Sequence, residues 1–167
     1  MCNPMNNLSQ LVVFTLDEQR YALYLAAVER IVRVVEITPL PKAPEVVLGV
    51  VNVHGQIIPV VNIGKRFRLP EREIALSNQL IIANTSRRAV ALLVDEVSGV
   101  LEISEREMIE AGKILPDMDY VEGIVKLEDG LILIHGLNTF LSIEEEKALD
   151  DAMKTEIGEQ GSGVGDG

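Results

Sequence analysis

The chain has 167 residues, one cysteine and a formal net charge of −11. This length predicts one domain or two tightly joined subdomains, with a core large enough to need no disulfide. The acidic balance and the absence of tryptophan oppose nucleic-acid binding, which usually requires a basic face and stacking aromatic side chains. The single Cys2 can form no internal disulfide, which fits a reducing, cytoplasmic setting.

Neither a signal peptide nor a membrane span is expected. The first ten residues lack a basic segment followed by an apolar one. No apolar run reaches the roughly 18 residues that a transmembrane helix needs. We therefore expect no direct membrane insertion.

The first elements in the chain are predicted to be short β-strands. Residues 1–9 form a loose arm, and the apolar runs at residues 11–16 and 21–25 flank a polar turn. Residues 30–38 are again rich in β-branched side chains. The prolines between residues 39 and 44 prevent regular structure and predict a rigid surface loop.

Residues 47–67 predict a β-hairpin. Two apolar runs flank the segment 54–56, in which Gly55 can adopt the positive φ of a tight turn. Pro59 cannot donate to a strand ladder, so its strand is predicted to lie at a sheet edge or to carry a bulge there. Asn52 and His54 are polar side chains in this apolar hairpin and need partners, either within the fold or on another protein.

The pattern then repeats. Residues 79–97 resemble 10–29 in spacing and character, and residues 120–134 resemble 46–61. The offset between the halves drifts from 69 residues at Gln10 and Gln79 to 75 at Gly55 and Gly130, as small insertions in a duplicated unit would produce. Chance similarity between two β-rich stretches is the alternative. A duplication predicts halves at about 10–67 and 79–136, each a small barrel or sandwich of about five short strands.

The C-terminal region changes character. Apolar residues at helical spacing predict an acidic helix over residues 137–157, with Ser142 as a candidate cap. Residues 144–167 hold eight acids and two bases, a net charge of −6, whereas the other 143 residues carry −5. Residues 158–167 contain too little apolar surface to fold, so a disordered tail is predicted.

No catalytic site is evident in the sequence. The two histidines are His54 and His135, and a metal site would need more ligands. The paired acids Asp95 and Glu96 would face opposite sides of a strand, so they are poorly placed to share a proton. We expect no enzyme activity, no cofactor and no metal. An apolar β protein of this kind is typical of a binding module.

The segment from Gly49 to Ile63, GVVNVHGQIIPVVNI, resembles the signature of the CheW-like chemotaxis coupling domain. That signature is approximately Gly-Val-x-Asn-Leu-Arg-Gly-x-x-x-Pro-Val-x-Asp-Leu. The proline loop and the segments 93–100 and 121–123 also fall where the family has equivalents, so the resemblance covers residues 10–145. It implies an all-β fold of two intertwined SH3-like five-stranded β-barrels with a C-terminal helix.

The resemblance also implies a function. Family members are non-catalytic, cytoplasmic adaptors that couple the cytoplasmic tip of methyl-accepting chemoreceptors to the regulatory domain of a CheA-type histidine kinase. The positions that match family contact residues are Val28, Arg30, Gly49, Asn52, His54, Gly55, Val97, Gly99 and Val100. For Val28 and Val97 a core role is the alternative, and for Gly49 the alternative is backbone packing.

Two of these positions depart from the family pattern. His54 stands where the family usually has Arg, and Arg30 stands where it often has Glu. Histidine offers fewer donors than the permanently charged guanidinium fork of Arg. We therefore hypothesise an altered partner set, in a pathway other than standard flagellar taxis.

Two rival interpretations remain at this point. The first is a CheW-like scaffold of a pilus-motility or cyclase-linked chemosensory array. The second is a small β-barrel enzyme or ligand-binding protein, in which His54 and His135 converge on a pocket with a perturbed acid nearby.

Overall fold

The structure is a computed structural model that describes residues 8–65, 74–104, 107–110, 121–128, 130–137 and 141–165. Most of the predicted N-terminal arm and part of the polar connector lie outside these residues. Among the described residues, no helix combines the length and the hydrophobicity needed to cross a membrane.

The described residues form eleven strands and one long α-helix, with two short 3₁₀ turns at Leu25–Ala27 and Ile63–Lys65. The elements are β1 (Leu8–Leu16), β2 (Gln19–Tyr24), β3 (Val28–Arg33), β4 (Val47–Val53), β5 (Gln56–Val61), β6 (Gln79–Asn84), β7 (Ala89–Val94), β8 (Glu96–Ser104), β9 (Met108–Glu110), β10 (Val121–Leu127), β11 (Gly130–His135) and α1 (Ile143–Gly165).

The strands form a six-stranded sheet in the order β8-β1-β2-β11-β10-β9 and a five-stranded sheet in the order β3-β6-β7-β5-β4. Each sheet combines the first hairpin of one half of the chain with later strands of the other half. Two parallel pairings, β11 with β2 and β5 with β7, join the strands of one half to those of the other. The predicted all-β, intertwined SH3-like fold is thus confirmed.

One sheet has six strands where five were predicted. The additional strand is β9, whose Ile109 pairs with Ile124 in β10. At the corresponding place in the first half, Thr38 forms an isolated bridge with Val50 in β4. The loop that precedes β4 thus touches its edge at one point, whereas its counterpart in the second half is long enough to be a strand.

Strands β1 and β6 are buried on both faces, which explains their unbroken apolar runs. In β1, Val12 and Phe14 pack in a cluster that contains residues of both sheets. Leu11 and Val13, on the opposite face, pack in a second cluster formed by residues of the six-stranded sheet. A central cluster of buried side chains joins both sheets to α1. Its members are Val12, Phe14, Leu16, Tyr21, Leu23, Leu40, Val46, Val47, Val61, Ile63, Ile81, Ala83, Val90, Leu92, Val94, Leu137, Leu141, Leu149 and Ala152.

Pro59 does not lie in an edge strand, because β5 is flanked by β4 and β7. Both predicted alternatives, an edge strand or a bulge at the proline, were wrong, since the register shift of the β4–β5 ladder lies between Val47 and Gly49. The hydrogen bonding explains why the proline is tolerated. Its partner in β4 is Val50, whose N–H and C=O both bond to Thr38 on the far side. Val50 and Pro59 are therefore a non-hydrogen-bonded pair of the antiparallel ladder. The missing N–H of Pro59 thus costs no hydrogen bond to β4. The parallel ladder with β7 is recorded only at Val60 and Val61.

Helix α1 differs from the prediction at both ends. It begins at Ile143 rather than at residue 137, and Leu137 is instead a buried non-helical member of the central cluster. Ser142 caps it as expected: the Glu145 N–H donates to Ser142 Oγ at 3.1 Å, and the Ser142 N–H donates to Glu145 Oε1 at 3.0 Å. The helix continues to Gly165, over most of the segment predicted to be a disordered tail. Extending an existing helix avoids the cost of nucleating one.

Candidate functional site

The β4–β5 hairpin ends in a two-residue turn made by His54 and Gly55. Val53 pairs with Gln56, and the two turn residues have φ values of 52° and 85°. Positive φ at both positions is the type I′ geometry, which matches the twist of the flanking strands. Asn52 Oδ1 accepts a hydrogen bond from the Gly55 N–H at 2.8 Å. Asn52 and Gly55 thus build the turn, and His54 is the exposed side chain at its tip.

Strand β3 carries Arg30 beside this hairpin. Val28 pairs with Ala83, and the next paired residue is Arg30 with Ile82, so Glu29 is an extra residue in the strand. This register shift is a β-bulge, and a bulge changes the direction in which neighbouring side chains point. Glu29 and Arg30 are both exposed, and both line the same cavity.

That cavity has a volume of about 60 Å³ and lies between β3 and the hairpin tip. We call it the Arg30 notch; it is lined by Glu29, Arg30, Val53, His54, Gln56, Ile58 and Ile82. Arg30 and His54 were predicted as separate contact positions, and the structure brings them together. Glu29 was not singled out, because a bulge leaves no clear mark in an alternating strand sequence.

Two other predicted contact positions are mainly internal. Val28 is half-buried and packs against the central cluster. Gly49 is buried where β4 shifts register against β5. A Cβ at this position would collide with the carbonyl oxygen of Thr38 and would lie 2.9 Å from Cγ2 of Ile37. The alternatives of core and backbone packing are thus the ones that this geometry favours.

The last three predicted positions lie on β8, in the other sheet. The Val97 N–H donates to Gln79 Oε1 at 2.7 Å, and its half-buried side chain packs on the central cluster. Gly99 and Val100 are exposed, and Val100 retains 58% of its accessible surface. Among the described strands, β8 is outermost in the six-stranded sheet. The exposed predicted positions are therefore divided between the sheets: Arg30, Asn52, His54 and Gly55 belong to the five-stranded sheet and its hairpin, and Gly99 and Val100 belong to the six-stranded sheet.

The two histidines do not share a pocket. His135 is buried at the end of β11 in the six-stranded sheet, and burial lowers its pKa to about 3. His54 lies in the five-stranded sheet, and His135 is not among the residues that line the notch beside it. In the described part of the chain, no group of three or more His, Cys, Asp or Glu side chains could hold a metal ion. Cys2 lies outside the described residues.

Comparison with known proteins identifies the family of this chain. The family model of the CheW-like domain matches residues 10–145. The chain is 30% identical to the chemotaxis protein CheW of Rhizobium meliloti, over 83% of this chain and 91% of that protein. It is also 30% identical to the chemotaxis protein CheW of Bacillus subtilis, over 83% and 90% of the two chains.

A solved structure has the same architecture. The crystal structure of the scaffolding protein TtCheW from Thermoanaerobacter tengcongensis superposes with a TM-score of 0.75 at 33% identity. The match covers 82% of this chain and 94% of TtCheW.

Proposed function

The chain belongs to the CheW-like domain family of chemotaxis scaffold and adaptor proteins, and from that membership we propose that it is a non-catalytic coupling protein. It joins the cytoplasmic tip of a methyl-accepting chemoreceptor to the regulatory domain of a CheA-type histidine kinase. The observation that carries this proposal is the family match over residues 10–145, which includes both sheets. The protein then works in the cytoplasm and reaches receptor arrays through its partners.

The presence of exposed candidate positions in both sheets supports a bridging role. The Arg30 notch belongs to the five-stranded sheet, and the exposed positions of β8 belong to the six-stranded sheet. A protein that holds two partners at once needs two such surfaces. Outermost strands also present free backbone groups that another chain can use.

Calorimetry on purified components tests the proposal. The protein is titrated, in separate experiments, with the regulatory domain of each CheA-type kinase of its organism and with receptor tip fragments. We expect micromolar or tighter binding to at least one kinase domain and one receptor tip. A lack of binding to every kinase domain and every tip would overturn the adaptor function while leaving the fold unaffected.

A pair of variants locates the β8 surface. Val100 and Leu131 are both exposed aliphatic residues of the six-stranded sheet, at 58% and 47% exposure. We expect Val100→Lys to weaken binding to one partner and Leu131→Lys to leave it unchanged. Equal losses from both variants would indicate a general effect of added charge instead.

The calorimetric titrations with kinase domains and receptor tips also distinguish between pathways. A scaffold of a pilus-motility or cyclase-linked array would bind the kinase and receptors of that array in preference to those of flagellar taxis. For the alternative of a small β-barrel enzyme, the described residues provide no supporting feature, since His54 is in the turn of the β4–β5 hairpin and His135 ends β11 in the other sheet.

A further inference from the structure

The Arg30 notch is small, and its size limits what can enter it. Its volume is about 60 Å³, whereas a cavity of about 10–15 Å³ already holds one water molecule. Pockets for cofactors and drug-sized ligands measure about 300–1,000 Å³. The notch therefore has room for one small polar group, such as the end of a side chain, and none for a metabolite.

The walls of the notch combine an apolar floor with a polar rim. Ile58 and Ile82 at the floor are 1% and 0% exposed. Arg30, His54 and Gln56 surround the opening and are exposed. Charge-assisted hydrogen bonds strengthen where one side of the site is closed to water.

The polar side chains at the rim of the notch are available to bind a ligand. Within the described part of the chain, no hydrogen bond or ion pair is formed by the side chains of Glu29, Arg30, His54 or Gln56. In particular, Arg30 does not pair with Glu29, although both line the notch. The hairpin is held rigid by its type I′ turn and by the Asn52 hydrogen bond, so little ordering is needed when a ligand binds.

The donors of the rim define the class of ligand. The Arg30 guanidinium is permanently charged and matches a carboxylate with two parallel N–H donors. The His54 ring and the Gln56 amide add further donors. From this arrangement we infer that the Arg30 notch receives a carboxylate side chain, Asp or Glu, from the protein partner. This inference rests on the proposed adaptor function for the identity of that partner as a protein of the array.

Glu29 allows a test of the inference, because substitutions of Glu29 and Arg30 should change the affinity in opposite directions. Glu29 lines the same notch, and its negative charge should repel an acidic guest. Glu29→Gln must therefore tighten binding of a carboxylate, whereas Arg30→Gln must weaken it. A basic guest would reverse both signs. Arg33 is the matched control, because it is an exposed arginine of the same strand that does not line the notch.

The first experiment needs no partner. Sodium acetate is titrated into the isotope-labelled full chain at constant ionic strength, and the side-chain resonances of Gln56 and His54 are followed by NMR. We expect saturable shifts that are lost in Arg30→Gln and retained in Arg33→Gln. The absence of saturable shifts, or saturation by methylguanidinium chloride instead of acetate, would overturn the inference whatever the partner proteins do.

The second experiment uses the receptor tip or kinase domain that binds the wild-type protein. We expect Arg30→Gln to weaken binding to one of them about tenfold, the value of one charge-assisted hydrogen bond, and Glu29→Gln to tighten it. Arg33→Gln should change the dissociation constant by less than about twofold. Equal effects of Arg30→Gln and Arg33→Gln at a bound partner would refute the notch while the adaptor function stands. If no partner binds, the adaptor function fails and the acetate titration alone decides the chemistry of the notch.

Discussion

Arg88 and Asp150 form an ion pair that joins the turn between β6 and β7 to helix α1. Their side chains are only 22% and 30% exposed, and Arg88 Nη1 also donates to the sulfur of Met153 at 3.0 Å. One turn of the helix is thus held against the five-stranded sheet by a partly buried charge pair. Next to it, Leu149 and Ala152 enter the central cluster.

Asp150→Asn should destabilise the protein by about 1–2 kcal/mol, because it leaves the partly buried Arg88 without its counter-charge. The measurement is the free energy of unfolding from urea denaturation at neutral pH. Asp151→Asn is the control, since Asp151 is an exposed acid on the same helix. A similar loss from both variants would show that the charge of the helix, rather than the ion pair, is responsible.

Gly49→Ala should lower the free energy of unfolding by about 2–3 kcal/mol, because the new methyl group overlaps the Thr38 carbonyl and Ile37. Gly99→Ala provides the comparison. Gly99 has a φ of 143°, but a Cβ there meets nothing within 4 Å, so we expect a loss of about 1 kcal/mol from backbone strain alone. Unfolding free energies near wild type for Gly49→Ala, together with lost partner binding, would instead make Gly49 a contact residue.

The sequence predicts the local elements of this fold better than their partners. The Gly55 turn and the Ser142 cap depend on residues within a few positions of each other, and both are found. The pairing of β2 with β11 joins strands more than a hundred residues apart, and nothing in an alternating apolar pattern specifies which strand a neighbour must be. Pro59 was misassigned for this reason, because its environment depends on β7 and on Thr38.

In the candidate site, too, the individual residues are predictable from the sequence, whereas their long-range neighbours are not. His54 and Arg30 are recognisable in the sequence as departures from a family pattern, but their proximity depends on the bulge at Glu29 and on how β3 is positioned against the hairpin. Gly49 and Val28 match family contact positions equally well, yet they are largely internal. Only the three-dimensional packing separates an exposed contact from a residue that supports it.

Stability should decrease as the pH falls below 6.5, because His135 is buried in its neutral form. Its pKa is lowered from 6.5 to about 3 in the folded state. The stabilising contribution is therefore complete above 6.5 and is lost progressively as the pH falls towards 3, where the unfolded chain binds a proton that the folded chain does not. Between pH 7.5 and pH 5 we expect a loss of about 2 kcal/mol in urea denaturation.

Two variants separate this effect from other titrations. His135→Asn should flatten the pH dependence of the unfolding free energy between pH 7.5 and pH 5. Glu122 acts in the opposite direction, since burial raises its pKa and its contribution is lost as the pH rises through the folded value. A Glu122→Gln variant therefore serves as the background in which the His135 substitution is repeated. An unchanged slope in His135→Asn would assign the pH dependence to another group.

His54→Arg should strengthen binding to the receptor tip of a standard flagellar chemotaxis pathway, by about three- to tenfold. The family pattern has Arg at this turn position, and His54 is exposed at the tip with φ of 52°, where its side chain makes no hydrogen bond among the described residues. Arginine adds a permanent charge and a bidentate donor at a point where the fold itself uses neither. Calorimetry with the isolated tip fragment measures the change.

His54→Ala completes this test. If the histidine tunes the protein to a different partner, the wild type should bind the flagellar tip weakly and its own receptor strongly, and His54→Ala should weaken only the second interaction. Gly55 and Asn52 remain unchanged in both variants, so the turn itself is preserved. Strong binding of the wild type to the flagellar tip, unaffected by His54→Ala, would rule out the idea that this position sets the choice of partner, and Arg30 would then be the departure that remains to be explained.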